Sequence, residues 1–164
     1  NTLGSTLPDV TDFFKSSDIV IDDKNIFFSA QSTFFSCDIN NGYINWRLDV
    51  SSIGTPIIDK NNIFIVTENG FFVILNKNNG EIISSVNILK SLKIKKQTTK
   101  VTGFIMGSEK IYSVTANGYL IVSSAISGKV ERVKKIGDPI ASAPIITDGK
   151  LFIYTENSKI LGFN

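Results

Sequence analysis

The amino-acid sequence predicts an all-β chain built from four copies of one four-stranded antiparallel unit. Three observations predict it: apolar runs rich in Phe, Ile and Val, a repeat close to 40 residues, and turn glycines at a fixed place in the first three copies. β-Branched and aromatic residues suit strands, whereas Ala, the strongest helix former, is scarce. At 164 residues, 42% hydrophobic and 20% charged, the chain has an ordinary globular balance and can bury a substantial core.

The first copy runs through Asn25–Ala30 and Phe34–Asp38 to a turn at Asn40-Asn41-Gly42 and then Tyr43-Ile44. The second runs through Asn62–Thr67 and Phe71–Asn76 to Asn78-Asn79-Gly80 and Glu81-Ile82. The third runs through Lys110–Thr115 and Tyr119–Ser123 to Ile126-Ser127-Gly128 and Lys129-Val130. The fourth contains Lys150–Thr155 and Lys159–Phe163 and lacks an outer strand. Gly42 and Gly80 are 38 residues apart, Gly80 and Gly128 are 48, and the equivalent Asn117 and Asn157 are 40. A period near 40 with several strands per unit is the signature of a β-propeller blade. The boundaries fall at about 17–52, 53–90, 101–137 and 140–164, with a lead-in at 1–16 and a basic insertion at 91–100.

Local chemistry agrees. Asn69-Gly70 and Asn117-Gly118 lie between apolar runs, where a two-residue hairpin turn with positive φ at both positions is expected. Pro56 and Pro144 open short inner strands, where a missing N–H breaks no interior ladder. The strands are apolar on both faces: Ile63 and Ile65 lie opposite Phe64 and Val66. Hairpin-linked strands buried on both sides require each sheet to lie between two others, as stacked blades do.

Composition excludes much chemistry. The chain has no histidine, which removes the commonest general base and metal ligand. Cys37 is the one cysteine, so neither an internal disulfide nor a four-cysteine metal site can form; in Phe34-Phe35-Ser36-Cys37 it reads as a buried inert thiol. A net charge of +2 gives no electrostatic case for nucleic acid. No apolar run is long enough to span a membrane. The chain does not begin with Met and reads as a fragment or mature segment, so the missing signal peptide says little about compartment.

The segment Ser36-Cys37-Asp38-Ile39-Asn40-Asn41-Gly42-Tyr43-Ile44-Asn45-Trp46 resembles the repeat of the PQQ-like (quinoprotein-type) β-propeller family, Ala-Leu-Asp-x-x-Thr-Gly-x-x-x-Trp, with Asp, Gly and Trp in register. The second copy keeps Gly80, with Asn76 for Asp and Ser84 for Trp. The third keeps Gly128, with Ser124 and Arg132. Gly54-Thr55-Pro56 and Ser142-Ala143-Pro144 resemble the family's lead into the inner strand. Within it, Gly137-Asp138-Pro139 before a Pro-led strand, and the ending Lys159–Asn164, resemble the C-terminal half of the alphaproteobacterial BamB lipoproteins.

That resemblance implies half of an eight-bladed propeller. It also implies a non-catalytic protein-binding scaffold in the assembly and insertion of outer-membrane β-barrel proteins, on the periplasmic side of the bacterial outer membrane. The expected partner is the barrel assembly machinery. Membrane association would come only through an upstream lipid anchor outside this segment. No cofactor, metal, catalytic residue or nucleic-acid partner is expected. The alternatives are the propeller portion of a PQQ-dependent oxidoreductase, which the absence of a Cys-Cys pair disfavours, and a sensor or ligand-binding propeller domain.

The residues that stand out read first as structure. Trp46 is expected in the groove against the next blade rather than on a cofactor, and Asp38 is expected to accept backbone N–H bonds of its turn. Lys90–Lys100 reads as a solvated loop. Leu92 and Ile94, interleaved with Lys93, Lys95 and Lys96, keep open a contact with an acidic partner or anionic lipid. The open edge of the fourth unit and the uncovered faces of the end units predict self-association of the isolated chain.

Overall fold

The structure, a computed structural model, describes residues 16–92 and 99–164. Among the described residues, fifteen strands form four antiparallel sheets in chain order. Blade 1 is β1 (Val20–Asp22), β2 (Asn25–Ala30), β3 (Thr33–Asp38) and β4 (Ile44–Leu48). Blade 2 is β5 (Ile57–Asp59), β6 (Asn62–Val66), β7 (Phe71–Asn76) and β8 (Ile82–Asn87). Blade 3 is β9 (Val101–Gly107), β10 (Lys110–Thr115), β11 (Tyr119–Ser124) and β12 (Val130–Lys135). Blade 4 is β13 (Ile145–Thr147), β14 (Lys150–Tyr154) and β15 (Ile160–Phe163), three strands with β15 at the edge. The helical content of the described residues is a 3-10 turn at Ile88–Ser91, capped by the Asn87 side chain, and no helix among them is long and apolar enough to cross a membrane.

Each blade has a forward face toward the next blade and a backward face toward the preceding one. On β6, Ile63 and Ile65 point back into a core with Phe27, Phe34, Trp46 and Leu48 of blade 1. Phe64 and Val66 point forward into a core with Val101, Phe104, Ile111 and Ile121 of blade 3. A third core joins Val114, Leu120 and Val122 of blade 3 to Leu151 and Ile153 of blade 4. The cores therefore lie between blades, and the sheets act as walls. This is why the central strands β6 and β7 carry no polar face.

The hairpins correct one expectation. In the β6–β7 and β10–β11 loops only Gly70 and Gly118 have positive φ, +78° and +80°; Asn69 and Asn117 do not. The turns are longer than two residues because a threonine closes them. Thr67 donates its N–H to Phe71 O at 2.9 Å and its Oγ1 accepts from Phe71 N–H at 3.0 Å. Thr115 makes the same hydroxyl contact with Tyr119 N–H at 3.0 Å. In blade 4 Ser158, at φ +58°, stands where the glycines stand. Pro56 and Pro144 are buried, one residue ahead of β5 and β13.

Candidate functional site

The glycine turns between the third and outer strands share one geometry. Asp38 Oδ1 accepts from Asn40 and Asn41 N–H at 2.8 and 3.2 Å. Asn76 Oδ1 accepts from Asn78 N–H at 2.9 Å, and Ser124 Oγ from Ile126 and Ser127 N–H at 3.2 Å each. In all three, the glycine N–H returns to the first residue's carbonyl at 2.9 Å, with Gly42, Gly80 and Gly128 at φ +73°, +72° and +72°. Any short side chain with an acceptor oxygen meets the requirement, so Asp, Asn and Ser interchange. Beside each turn the ladder slips by one residue: between Ser36 and Cys37, Ile74 and Leu75, and Val122 and Ser123. A repeated bulge of this kind re-aims the outer strand.

Trp46 crosses from β4 onto the next turn. Its ring stacks on Phe34 at 5.9 Å, tilts against Phe27 at 6.1 Å, and donates Nε1–H to Lys77 O at 3.1 Å. A Cβ on Gly80 would come within 2.5 Å of that ring. Lys77 also ion-pairs with Asp22, so one residue ties two blades by backbone and side chain. At the next junction Ser84 takes the Trp position, 2.8 Å from where a Gly128 Cβ would lie. Gly42 faces open space.

On these turns and at the start of the outer strands after them, large apolar side chains are exposed on three successive blades: Ile39, Tyr43 and Ile44, then Ile82 and Ile83, then Ile126. Tyr43 is 75% exposed and Ile126 77%. Large exposed apolar side chains beside ordered turns suit protein recognition. Sequence reading counted several of these residues as strand and turn positions and missed their exposure. The available signal was apolar residues flanking the turn glycines, where polar ones would serve equally well.

Other expected sites fall differently. Leu92 is buried in the core between blades 2 and 3, so it is not a partner-facing residue; its place beside Ile88 after the 3-10 turn draws it inward. Lys93, Ile94, Lys95 and Lys96 lie outside the described residues. Lys100 pairs with Glu68 at 2.9 Å. Asn117 does not take the positive φ expected of it; its Oδ1 instead accepts from the Thr99 and Thr115 hydroxyls. Cys37 is buried, and burial pushes its thiol pKa up. The hydrogen bond from Lys159, with help from Asn157, holds the Asp138 carboxyl below its ordinary value. A groove of about 510 Å³ beside β15 is lined by Lys110, Tyr112, Arg132, Lys134 and Phe163. There the Lys134 ammonium sits 4.3 Å from the centre of the Phe163 ring and Lys110 pairs with Glu131 at 3.0 Å. Among the described residues no three Cys, Asp or Glu groups gather where they could hold a metal ion.

The family described as outer membrane protein assembly factor BamB matches residues 9–86. BamB from Moraxella catarrhalis is similar in structure with a TM-score of 0.69 at 15% identity, over 90% of this chain and 45% of that one. The computationally designed Ika4 protein is similar with a TM-score of 0.70 at 14% identity, over 90% of this chain and 91% of that one. Quinohemoprotein alcohol dehydrogenase from Comamonas testosteroni is similar with a TM-score of 0.62 at 15% identity, over 73% of this chain and 20% of that one. No curated protein sequence matches the chain. Structural likeness at these identities speaks for the fold, and the chain spans about half the length of the BamB it matches. The repeated Asp/Asn/Ser-to-Gly turns, the blade sheets and the match over residues 9–86, just under half of the chain, support a PQQ-like β-propeller.

Proposed function

We propose that this protein is a non-catalytic, protein-binding scaffold of the BamB kind, serving outer-membrane β-barrel assembly from the periplasmic side of the outer membrane. The observation that carries the reading is the exposure of Ile39, Tyr43, Ile44, Ile82, Ile83 and Ile126 on and beside the glycine turns of three blades. The match of residues 9–86 to an outer-membrane assembly factor supports the setting. Several carboxylates are engaged in structure: Asp38 in its turn, Asp22 with Lys77, Asp138 with Lys159 and Glu131 with Lys110. The oxidoreductase reading draws on the likeness to a quinohemoprotein dehydrogenase. A quinone bed built on adjacent cysteines does not fit this chain, whose one cysteine is buried in blade 1.

The test is binding of the purified chain to the soluble periplasmic domain of a barrel assembly protein, measured by surface plasmon resonance. Tyr43→Lys and Ile126→Lys should each weaken binding about tenfold or more, the scale of losing an interface anchor, while leaving thermal stability unchanged. Absence of binding, or binding indifferent to both variants, sinks the reading. Stoichiometric uptake of PQQ with calcium in a calorimeter would establish the rival instead.

A further inference from the structure

Among the described residues, four turns carry an Asn-Gly pair: Asn41-Gly42, Asn69-Gly70, Asn79-Gly80 and Asn117-Gly118. An asparagine before glycine is open to self-modification, because no glycine side chain shields the following backbone nitrogen. That nitrogen attacks the asparagine Cγ. A C–N bond closes a succinimide ring, and the side-chain nitrogen leaves as ammonia with the proton of the glycine N–H. Water then opens the ring at either carbonyl. One product is aspartate. The other is isoaspartate, whose main chain runs through the former side-chain carbonyl and is one carbon longer.

The four pairs hold the attacking group alike and differ in the group attacked. Each glycine N–H donates to a carbonyl of its own turn: Gly42 to Asp38, Gly70 to Thr67 and Gly80 to Asn76 at 2.9 Å, and Gly118 to Thr115 at 3.0 Å. Three of the carboxamides are also held. Asn41 Oδ1 accepts from Tyr43 N–H at 2.8 Å, and Asn79 Oδ1 from Glu81 N–H at 3.0 Å. Asn117 Oδ1 accepts from the Thr99 and Thr115 hydroxyls, and the residue is half-buried. Asn69 is exposed, and among the described residues its side chain has no hydrogen-bond partner. A donor on Oδ1 polarises the carbonyl, but it also opposes the side-chain rotation that ring closure needs. Breaking one such bond first slows the reaction about fivefold.

We propose that Asn69 is the site of spontaneous deamidation in this protein, and that its isoaspartyl product loosens the junction between blades 2 and 3. Gly70 lies directly under the 3-10 turn Ile88–Ser91: a Cβ there would run into Leu89, and Gly70 O accepts from Ile88 N–H at 2.8 Å. Ile88 is fully buried in the core that joins the two blades, and Leu89 packs against that core. An extra backbone carbon between residues 69 and 70 displaces Gly70 beneath this turn. Aspartate at 69 adds only a charge at an exposed position.

Peptide mass spectrometry during storage at mildly alkaline pH tests the site, and an isoaspartyl-specific methyltransferase assay identifies the product. In the folded chain Asn69 should deamidate about fivefold or more faster than Asn41, Asn79 and Asn117. In urea, where the turn contacts are gone, the four rates should converge. Stored wild type should melt lower than fresh protein. Fresh Asn69→Asp should melt as fresh wild type does, and Asn69→Gln should keep its melting temperature through the same storage. Asn69 no faster than the other three in the folded chain, or the same ranking kept in urea, overturns the site. No loss on storage of the wild type, a loss shared by Asn69→Gln, or a loss already present in fresh Asn69→Asp overturns the effect on the junction.

Discussion

Trp46 and Gly80 act as one unit at the first blade junction, and substitution can separate their parts. Trp46→Ala removes two ring contacts and an indole hydrogen bond from a partly buried ring, and should cost about 3 kcal/mol in urea unfolding, the low end of the scale for buried aromatic truncations. An unchanged midpoint would mean that the ring contributes nothing to the junction. Gly80→Ala and Gly42→Ala place a Cβ on the same left-handed backbone, φ +72° and +73°. Only Gly80 meets the Trp46 ring. Gly42→Ala should therefore cost about 1 kcal/mol from backbone strain alone, and Gly80→Ala measurably more. Equal losses would deny the contact. At Asp138 the folded carboxyl titrates below its ordinary 3.8 because Lys159 donates to it. A depressed carboxylate pKa adds stability above the unfolded value and loses it as pH falls through the folded one. Asp138→Asn should thus lower the melting temperature slightly at pH near 7, and the gap should close below the ordinary aspartate pKa. A gap independent of pH would refute the ion pair.

At the scale of elements, the glycine turns show how a degenerate motif keeps one shape. Asp38, Asn76 and Ser124 differ in charge and length, yet each supplies an acceptor oxygen two residues ahead of a free N–H. The glycines were legible in the sequence because no other residue takes that φ cheaply. The Asn-Gly pairs were half legible. Gly70 and Gly118 carry the left-handed turn, while Asn69 and Asn117 do not, because Thr67 and Thr115 lengthen the loop and satisfy the N–H of Phe71 and Tyr119. Threonine in a strand reads as an ordinary β-former, so its hydroxyl role is silent until the strands are paired. Thr67→Val and Thr115→Val should each cost about 1 kcal/mol, the net worth of one such bond, with serine restoring most of it. Valine without loss would assign the turn to glycine alone.

For the whole molecule, stability resides in the junctions between sheets. Blades 2 and 3 are clamped on both faces, and blades 1 and 4 on one face each within a chain. In repeat architectures stability is close to a sum of unit and nearest-neighbour terms, so the singly clamped units open first. In the 164-residue chain, amide exchange should be slowest in β6, β7, β10 and β11 and faster in β2, β3, β14 and β15. Uniform protection would contradict junction-by-junction stability. Circular dichroism should show a β spectrum; a helical one would contradict the fold itself.

The sequence by itself determined the all-β class, the near-40-residue unit and the place of each turn glycine. These follow from local rules: strand alternation, left-handed glycine and periodicity act over a few residues and are written in order along the chain. Only the tertiary structure decided which face of each strand meets which neighbour, that Leu92 lies inside, and that Tyr43 and Ile126 lie outside. An apolar residue obeys the same local pattern whether a neighbouring blade covers it or water does. Cover depends on the blade beside it, tens of residues away along the chain, and is settled only when the sheets stack.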